Sequence, residues 1–530
     1  MTYRFALAAL SVAAAIVAPA AAQPRVVALS SEDEAAYRAA FDAIESRNWR
    51  GVTAALNRAD DDVLEGVVRA RMLLSRSYDA SWSDYTSWLN RYGEYGLARD
   101  VYARALSSRS RAARRRGVTP PSPQDGARRT LPGTPPPIPG DSSTARVAIQ
   151  RIAELMGEGN YDGARNLAYA QLGGPRTGQA QWQLGLMAYR QHDYAEAVRQ
   201  FEESARWVHH GGWALAGVHY WAARSRLAAG ETHGVTQHLE AAAQRPWTFY
   251  GQLAETQLGR NSSLSFAPPQ IDGETLGRFI ERYPAARRAA ALAQLGRLSE
   301  VESELRRLHG DVSPADDREF LALAIALEAP AAQLRTAEYG GPEVAAGFCP
   351  TTTFEPDDGF SLDRAVVYAI VRQESYFNPK AVSVSNARGL MQLLPSTARD
   401  MDRSTNYRRN PSALHEPGLN MRLGQSYVRW LMDQFHNDGD LGRVFAAYNG
   451  GPGWLSRWLA TQPADIDALR LREVLPRAEV RDCAGRAVSH MALCCKRYGQ
   501  PTPELDLLAS GRPAIYTPLD RTANPLTASR

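Results

Sequence analysis

Apolar residues recur three and four positions apart along most of this 530-residue chain, and strict apolar/polar alternation is hard to find. That spacing predicts helices almost throughout, and the dominance of good helix formers such as Ala, Leu, Arg, Gln and Glu points the same way. The expected fold class is all-α. Ser31-Glu32-Asp33-Glu34 offers a capping Ser with Glu three residues on, ahead of an Ala-rich amphipathic stretch. The segments Asn48-Trp49-Arg50-Gly51, Asn160-Tyr161-Asp162-Gly163-Ala164 and Asp193-Tyr194-Ala195-Glu196-Ala197 repeat one turn-to-helix signal. Tyr161 and Tyr194 are about 33 residues apart, a period that suits stacked helix hairpins.

Between Trp182 and Arg206, the residues Gly185, Tyr194, Ala197 and Phe201 stand at spacings that resemble a tetratricopeptide unit, although the rest of that pattern is loose. The expectation is an α-solenoid in which each hairpin buries its apolar face against its neighbours. Its first part should cover residues 24–107 and its second, tetratricopeptide-like part 144–350. Between them, at 108–143, periodicity dissolves into SSRSRAARRR and a Pro-rich run, which predicts a disordered or extended tether. A further helical domain is expected at 354–499, and a loosely ordered, Pro-rich tail at 500–530.

The first residues, MTYRFALAALSVAAAIVAPAAAQPR, place one Arg before a short apolar run that ends in small residues, so 1–22 reads as a secretory signal peptide. The expected location is the periplasm, with no transmembrane segment after cleavage. The formal charge of +4 misleads as a guide to partners. Eight Arg between Arg104 and Arg129 face one acid, Asp125, so this segment alone exceeds the total and the remainder is slightly acidic. A nucleic-acid partner is therefore not expected; an acidic polymer, a membrane surface or plain solvent are the candidates for that segment. The four Cys, at 349, 483, 494 and 495, show no metal-ligand spacing, and no metal or cofactor is expected. Three complete disulfide pairings are open, with adjacent Cys494 and Cys495 poor partners for each other.

Candidate chemistry begins at SLDRAVVYAIVRQESYFNPK, where Ser361 can cap a helix. Val367, Ile370, Val371 and Glu374 follow at spacings of three and four, which puts the Glu374 carboxyl on an apolar face. Ionisation is costly there, so its pKa should rise and the group should carry a proton near neutral pH. An isolated Glu at a helix end more simply turns back to solvent. Glu374 has company, however, in Gly389-Leu390-Met391-Gln392, Leu394-Pro395-Ser396-Thr397-Ala398 and Ala446-Ala447-Tyr448-Asn449-Gly450-Gly451-Pro452-Gly453.

With a Glu-Ser pair, a Gly-Leu-Met-Gln block and an Ala-Tyr-Asn-Gly-Gly block in order, residues 354–499 resemble the catalytic domain of the soluble lytic murein transglycosylases. Upstream, HYWAAR at 219–224 and RPWTFYGQLA at 245–254 look like segments of that family's helical ring. The resemblance implies a goose-type lysozyme-like helical domain behind the solenoid, acting on the glycan strands of peptidoglycan. It implies Glu374 as the acid and base. Ser383, Gln392, Tyr448 and Asn449 would contact sugar or acetamido groups, while Ser375, Gly389 and Met391 shape the site. Glu473, Glu479 and Arg481 in REVLPRAEVR resemble a closing motif, and Glu473 is assigned to the substrate-binding set. Two departures stand out: Cys483 replaces a usual aromatic residue, and Leu394 replaces a common Met.

Most glycosidases use two carboxyl groups, yet no Asp or Glu occurs between Ser375 and Arg399. A lone acid would need help from the substrate: the N-acetyl group of N-acetylmuramic acid steadies positive charge at C1, and Glu374 takes the proton of that sugar's own C6 hydroxyl. The product would be a 1,6-anhydro ring. A lysozyme-type hydrolase with Glu473 or Glu479 as its second carboxylate is the alternative enzyme. A non-catalytic peptidoglycan-binding scaffold is the alternative of another class, with envelope or division proteins as partners.

Overall fold

The computed structural model describes residues 26–520 apart from 111–112, 115, 125, 127–128 and 435–438; the expected leader at 1–22 lies outside the described residues. Among the described residues helices follow one another with only isolated β-bridges between them, so the architecture is all-α. No helix among the described residues is long and apolar enough to cross a membrane.

The repeated turn signal has a physical origin. Asn48, Asn160 and Asp193 each cap a helix, their side chains accepting from the amides of Gly51, Gly163 and Glu196 at 3.0–3.1 Å. The residue before each cap, Arg47, Gly159 or His192, adopts the left-handed conformation that ends the preceding helix. The first helix, Ser31–Glu45, is capped by Ser30 rather than by Ser31. In the hairpin of Thr177–Arg190 and Tyr194–Ala205, a Cβ on Gly185 would lie 2.7 Å from the ring of Phe201. Only Gly lets that ring fill the seam, which accounts for the tetratricopeptide-like spacing.

Burial divides the solenoid differently from the sequence expectation. Helices between 31 and 108 share one core with those between 273 and 339, through Trp88, Leu89, Val101, Leu292, Val301 and Phe320. The hairpins from Ser143 to Gln257 share a second core with the C-terminal domain. Residues 144–350 thus form two groups, because a hairpin's exposed apolar face must be covered at both ends of a stack. The described part of the linker also differs from a free tether. Arg129 makes a two-pronged pair with nearly buried Asp317 at 2.5 and 2.7 Å, and the Gln124 backbone bonds Gly93 and Arg307. The tail differs as well. Helix Pro503–Ala509 packs Leu505 and Leu508 into the core, and the amides of Leu519 and Asp520 donate to the Asp363 carboxylate. Proline removed the helical period there, but extended backbone finds its partners in side chains instead.

Of the open disulfide pairings the structure has one, Cys349–Cys494, with Cys483 and Cys495 free and buried. It closes 145 residues of chain, tying the start of the C-terminal domain to its last long helix, Ala478–Arg497. Such a loop restricts the unfolded chain strongly, so reduction or Cys349→Ser should lower stability by about 3–5 kcal/mol. Urea unfolding with and without reductant measures it, and coincident midpoints contradict it.

Candidate active site

Glu374 lies in the last turn of helix Arg364–Ser375. The helix begins at Arg364, after Asp363 rather than at Ser361. Val367, Ile370 and Val371 on the same face are all buried. Among the described residues Glu374 has no hydrogen-bond or ion-pair partner. Burial foremost, and then the negative charge of Glu479, push its carboxyl from 4.5 up to about 7. The helix's negative end acts in the same sense. A raised pKa does not by itself identify a catalytic acid: burial also raises Glu302 to about 7, but that carboxylate caps a helix by accepting from Ala331 and Ala332 amides. Glu374 is the one left available to a ligand.

Behind Glu374 the chain turns sharply. Ser375 Oγ donates back to the Val371 carbonyl at 3.0 Å, and Tyr376 and Phe377 both take positive φ, 54° and 61°. Two consecutive non-Gly residues in this region store strain that buried Phe377 and the Tyr376–Glu338 hydrogen bond hold in place. The following loop is tied across itself, Ser383 Oγ accepting from the Ala387 amide at 3.0 Å.

The Gly-Leu-Met-Gln block is locked from three sides. Gly389 has φ 79°, and a Cβ there would meet the Leu414 carbonyl at 2.1 Å. Fully buried Asn420 accepts from the Met391 amide at 2.7 Å and donates to the carbonyls of Arg388 and Leu414. Tyr448 donates to the Met391 carbonyl at 2.6 Å, joining this block to the Ala-Tyr-Asn block on helix Leu441–Gly450. Burial, followed by the charge of Glu374, raises the Tyr448 phenol well above its usual value, so its proton stays in that bond. Gln392 uses its amide nitrogen on the Ala381 and Gly389 carbonyls. Asn449 makes no side-chain hydrogen bond among the described residues, which leaves its amide for a ligand.

The structure brings Glu374, Met391 and Tyr448 together and holds Gly389 and Gln392 in the adjoining block, but it does not bring Glu473. That carboxylate is buried in a different network: Trp221 donates to the Tyr250 hydroxyl at 2.8 Å, Tyr250 donates to Glu473 at 2.5 Å, and Arg472 pairs with it. Glu473 anchors the solenoid to the C-terminal domain, through the very segments at 219–224 and 245–254 that resemble a ring. The carboxylate that acts on Glu374 is Glu479, in the first turn of Ala478–Arg497, where the helix dipole favours an anion. Buried Cys483 stands one turn later and feels both charges. Sequence reading also missed Asn420 and the aromatic row Tyr448–Tyr427–Trp430, with ring centroids 5.3 and 5.8 Å apart. Tyr427 and Trp430, three apart on helix Pro417–Gln434, were the available signal.

Removing the second charge should release part of the shift on Glu374. Glu479→Gln should move the alkaline limb of the pH–kcat/KM profile down by about half to one pH unit. An unmoved limb would show that burial alone sets the acid.

Residues 352–469 match the family described as "Transglycosylase SLT domain". Over 128 residues the chain is 40% identical to the soluble lytic murein transglycosylase of Salmonella typhimurium, and over 127 residues 38% identical to that of Escherichia coli K12. Each match covers 23% of this chain and 19% of the relative, so the alignment spans about a fifth of the relatives' length. The fold likeness reaches further. The 70 kDa soluble lytic transglycosylase of Escherichia coli superimposes with a TM-score of 0.58 at 18% identity, over 88% of this chain and 97% of that one. An inactive variant of lytic transglycosylase Slt from Pseudomonas aeruginosa gives 0.53 at 20% identity, over 89% and 74%. Residues 352–469 are therefore a transglycosylase SLT domain, and the fold of the chain is like that of the soluble lytic transglycosylases.

Proposed function

We propose that this protein cleaves the glycan strands of peptidoglycan between N-acetylmuramic acid and N-acetylglucosamine, leaving 1,6-anhydro-muramic ends. The observation that carries the reading is Glu374: a largely buried carboxyl pushed up to about 7, unpartnered among the described residues. Protonated, it donates to the leaving glycosidic oxygen; once deprotonated, it takes the C6 hydroxyl proton as that oxygen closes on C1. Gln392 and Asn449 are placed in the substrate contacts, and Ser383, Gly389 and Met391 hold the loop that presents them. The leader at 1–22 and the substrate together give a periplasmic site of action.

Glu479 favours a second reading. It is a carboxylate within electrostatic reach of Glu374, as a two-carboxyl hydrolase requires. Both enzymatic readings differ from a scaffold in one simple assay. The purified chain should release soluble muropeptides from intact sacculi, and Glu374→Gln should not. Binding without release would leave only the scaffold.

A further inference from the structure

We infer that the cavity where the solenoid meets the C-terminal domain is a second saccharide site, which takes one N-acetylated, carboxylate-bearing sugar of the strand outside the catalytic centre. The inference rests on the proposed glycan substrate. The cavity holds about 330 Å³, within the range of small-molecule sites, and Glu374 is not in its wall. Its solenoid side presents Trp182, Gln183, His210 and Trp213; its other side presents Arg472 and Arg486.

Five observations point to that site and ligand. Gln183 is 6% exposed, and its Oε1 is buried without a hydrogen-bond partner. A buried amide oxygen left unpaired is costly, and the N–H of an acetamido group is the donor that would complete it. Trp182 and Trp213 are partly buried, so each offers a face or edge of the kind that packs against a sugar's C–H surface. The Arg486 guanidinium lies 4.6 Å over the Trp213 ring and has no carboxylate partner among the described residues, while Arg481 on the same wall donates only to the Leu475 carbonyl. These two cations suit a carboxylate borne by the sugar; Glu473 is already engaged by Tyr250 and Arg472, and Asp482 stands exposed at the rim. His210 is buried and held neutral, its pKa lowered to about 4 by desolvation, and it is bound to Ser204 at 3.0 Å. Finally, Asp482 and Arg486 follow Glu479 by three and seven residues on one helix face, so the cavity lies beside the catalytic centre and along the course of one strand.

Calorimetry on the full chain carrying Glu374→Gln, which prevents turnover, tests this. The probes are the peptide-free disaccharide N-acetylglucosaminyl-N-acetylmuramic acid, whose lactyl carboxylate is free, and neutral chitotetraose. The peptide-free disaccharide should fill two sites per chain, and Trp213→Ala should weaken one of them by about tenfold. Arg486→Gln alters an exposed side chain, so folding is not at stake. It should weaken that same site for the peptide-free disaccharide by about five- to tenfold and leave chitotetraose unaffected. A single site per chain, or two sites indifferent to both substitutions, overturns the inference even where wild-type protein digests sacculi. Failure of that digestion instead overturns the functional reading beneath it.

Discussion

Glu374→Gln should yield a folded protein whose turnover is lower by about 10³- to 10⁴-fold. The amide keeps the shape of the carboxyl and loses the transferable proton, and no protein partner among the described residues depends on the charge. The same substitution should stabilise the fold in a pH-dependent way. Folding raises this carboxyl from 4.5 to about 7, so the native state holds the proton more tightly than the unfolded chain. Its favourable contribution is complete below about pH 4.5 and is lost as pH rises through 7. Gln never ionises. The variant should therefore match wild type near pH 4 and exceed it near pH 8, by on the order of 2–3 kcal/mol. Urea unfolding at the two pH values measures this, alongside initial rates on sacculi. Wild-type turnover in the variant would sink the assignment of the acid.

Asn420→Leu should be the most damaging change that touches no substrate. Its side chain satisfies three backbone groups, the Met391 amide and the Arg388 and Leu414 carbonyls, in a fully buried position. Leu is close in size but leaves all three unpaired, at about 3–5 kcal/mol in total. The loop cannot relax inward, because at Gly389 even a Cβ would strike Leu414 and Asn420, and at Gly424 it would strike the Met391 sulfur. Met391 would shift and carry the Tyr448 bond with it, and a displacement near 1 Å at such a site lowers kcat/KM by about 100-fold. A variant with an unchanged urea midpoint and unchanged kcat/KM would show that this buried bracket does not hold the site.

What could be read from sequence divides along a physical line. Local patterns survived: the three-and-four spacing that buries Val367, Ile370 and Val371 with Glu374, and the turns at Asn48, Asn160 and Asp193, all depend on residues within one helix turn. Partners distant in the chain did not survive. Glu473 and Glu479 are six residues apart and chemically identical, yet a helix boundary between them turns one into the solenoid and the other toward Glu374. Only the fold decides which faces which. The Cys349–Cys494 pair, the Arg129–Asp317 clamp and the docking of the tail on Asp363 are likewise contacts across more than 100 residues. Composition suggested a disordered or extended linker and a loosely ordered tail because it reports the absence of helical period, not the presence of a partner. Asn420 was invisible for a related reason: a lone Asn in a helix carries no pattern, and its role exists only where three backbone groups from two loop segments converge on it.

Closure of the cut muramic sugar on its own oxygen, the proposed step, leaves products that can be weighed. Wild-type protein should be incubated with purified sacculi in water enriched in heavy oxygen, and the released muropeptides analysed by mass before and after borohydride. The expected ends are lighter by one water than the hydrolysed sugar, free of heavy oxygen and resistant to reduction. Reducible muramic ends carrying heavy oxygen would contradict that closure, and would make Glu479 the carboxylate that delivers the water.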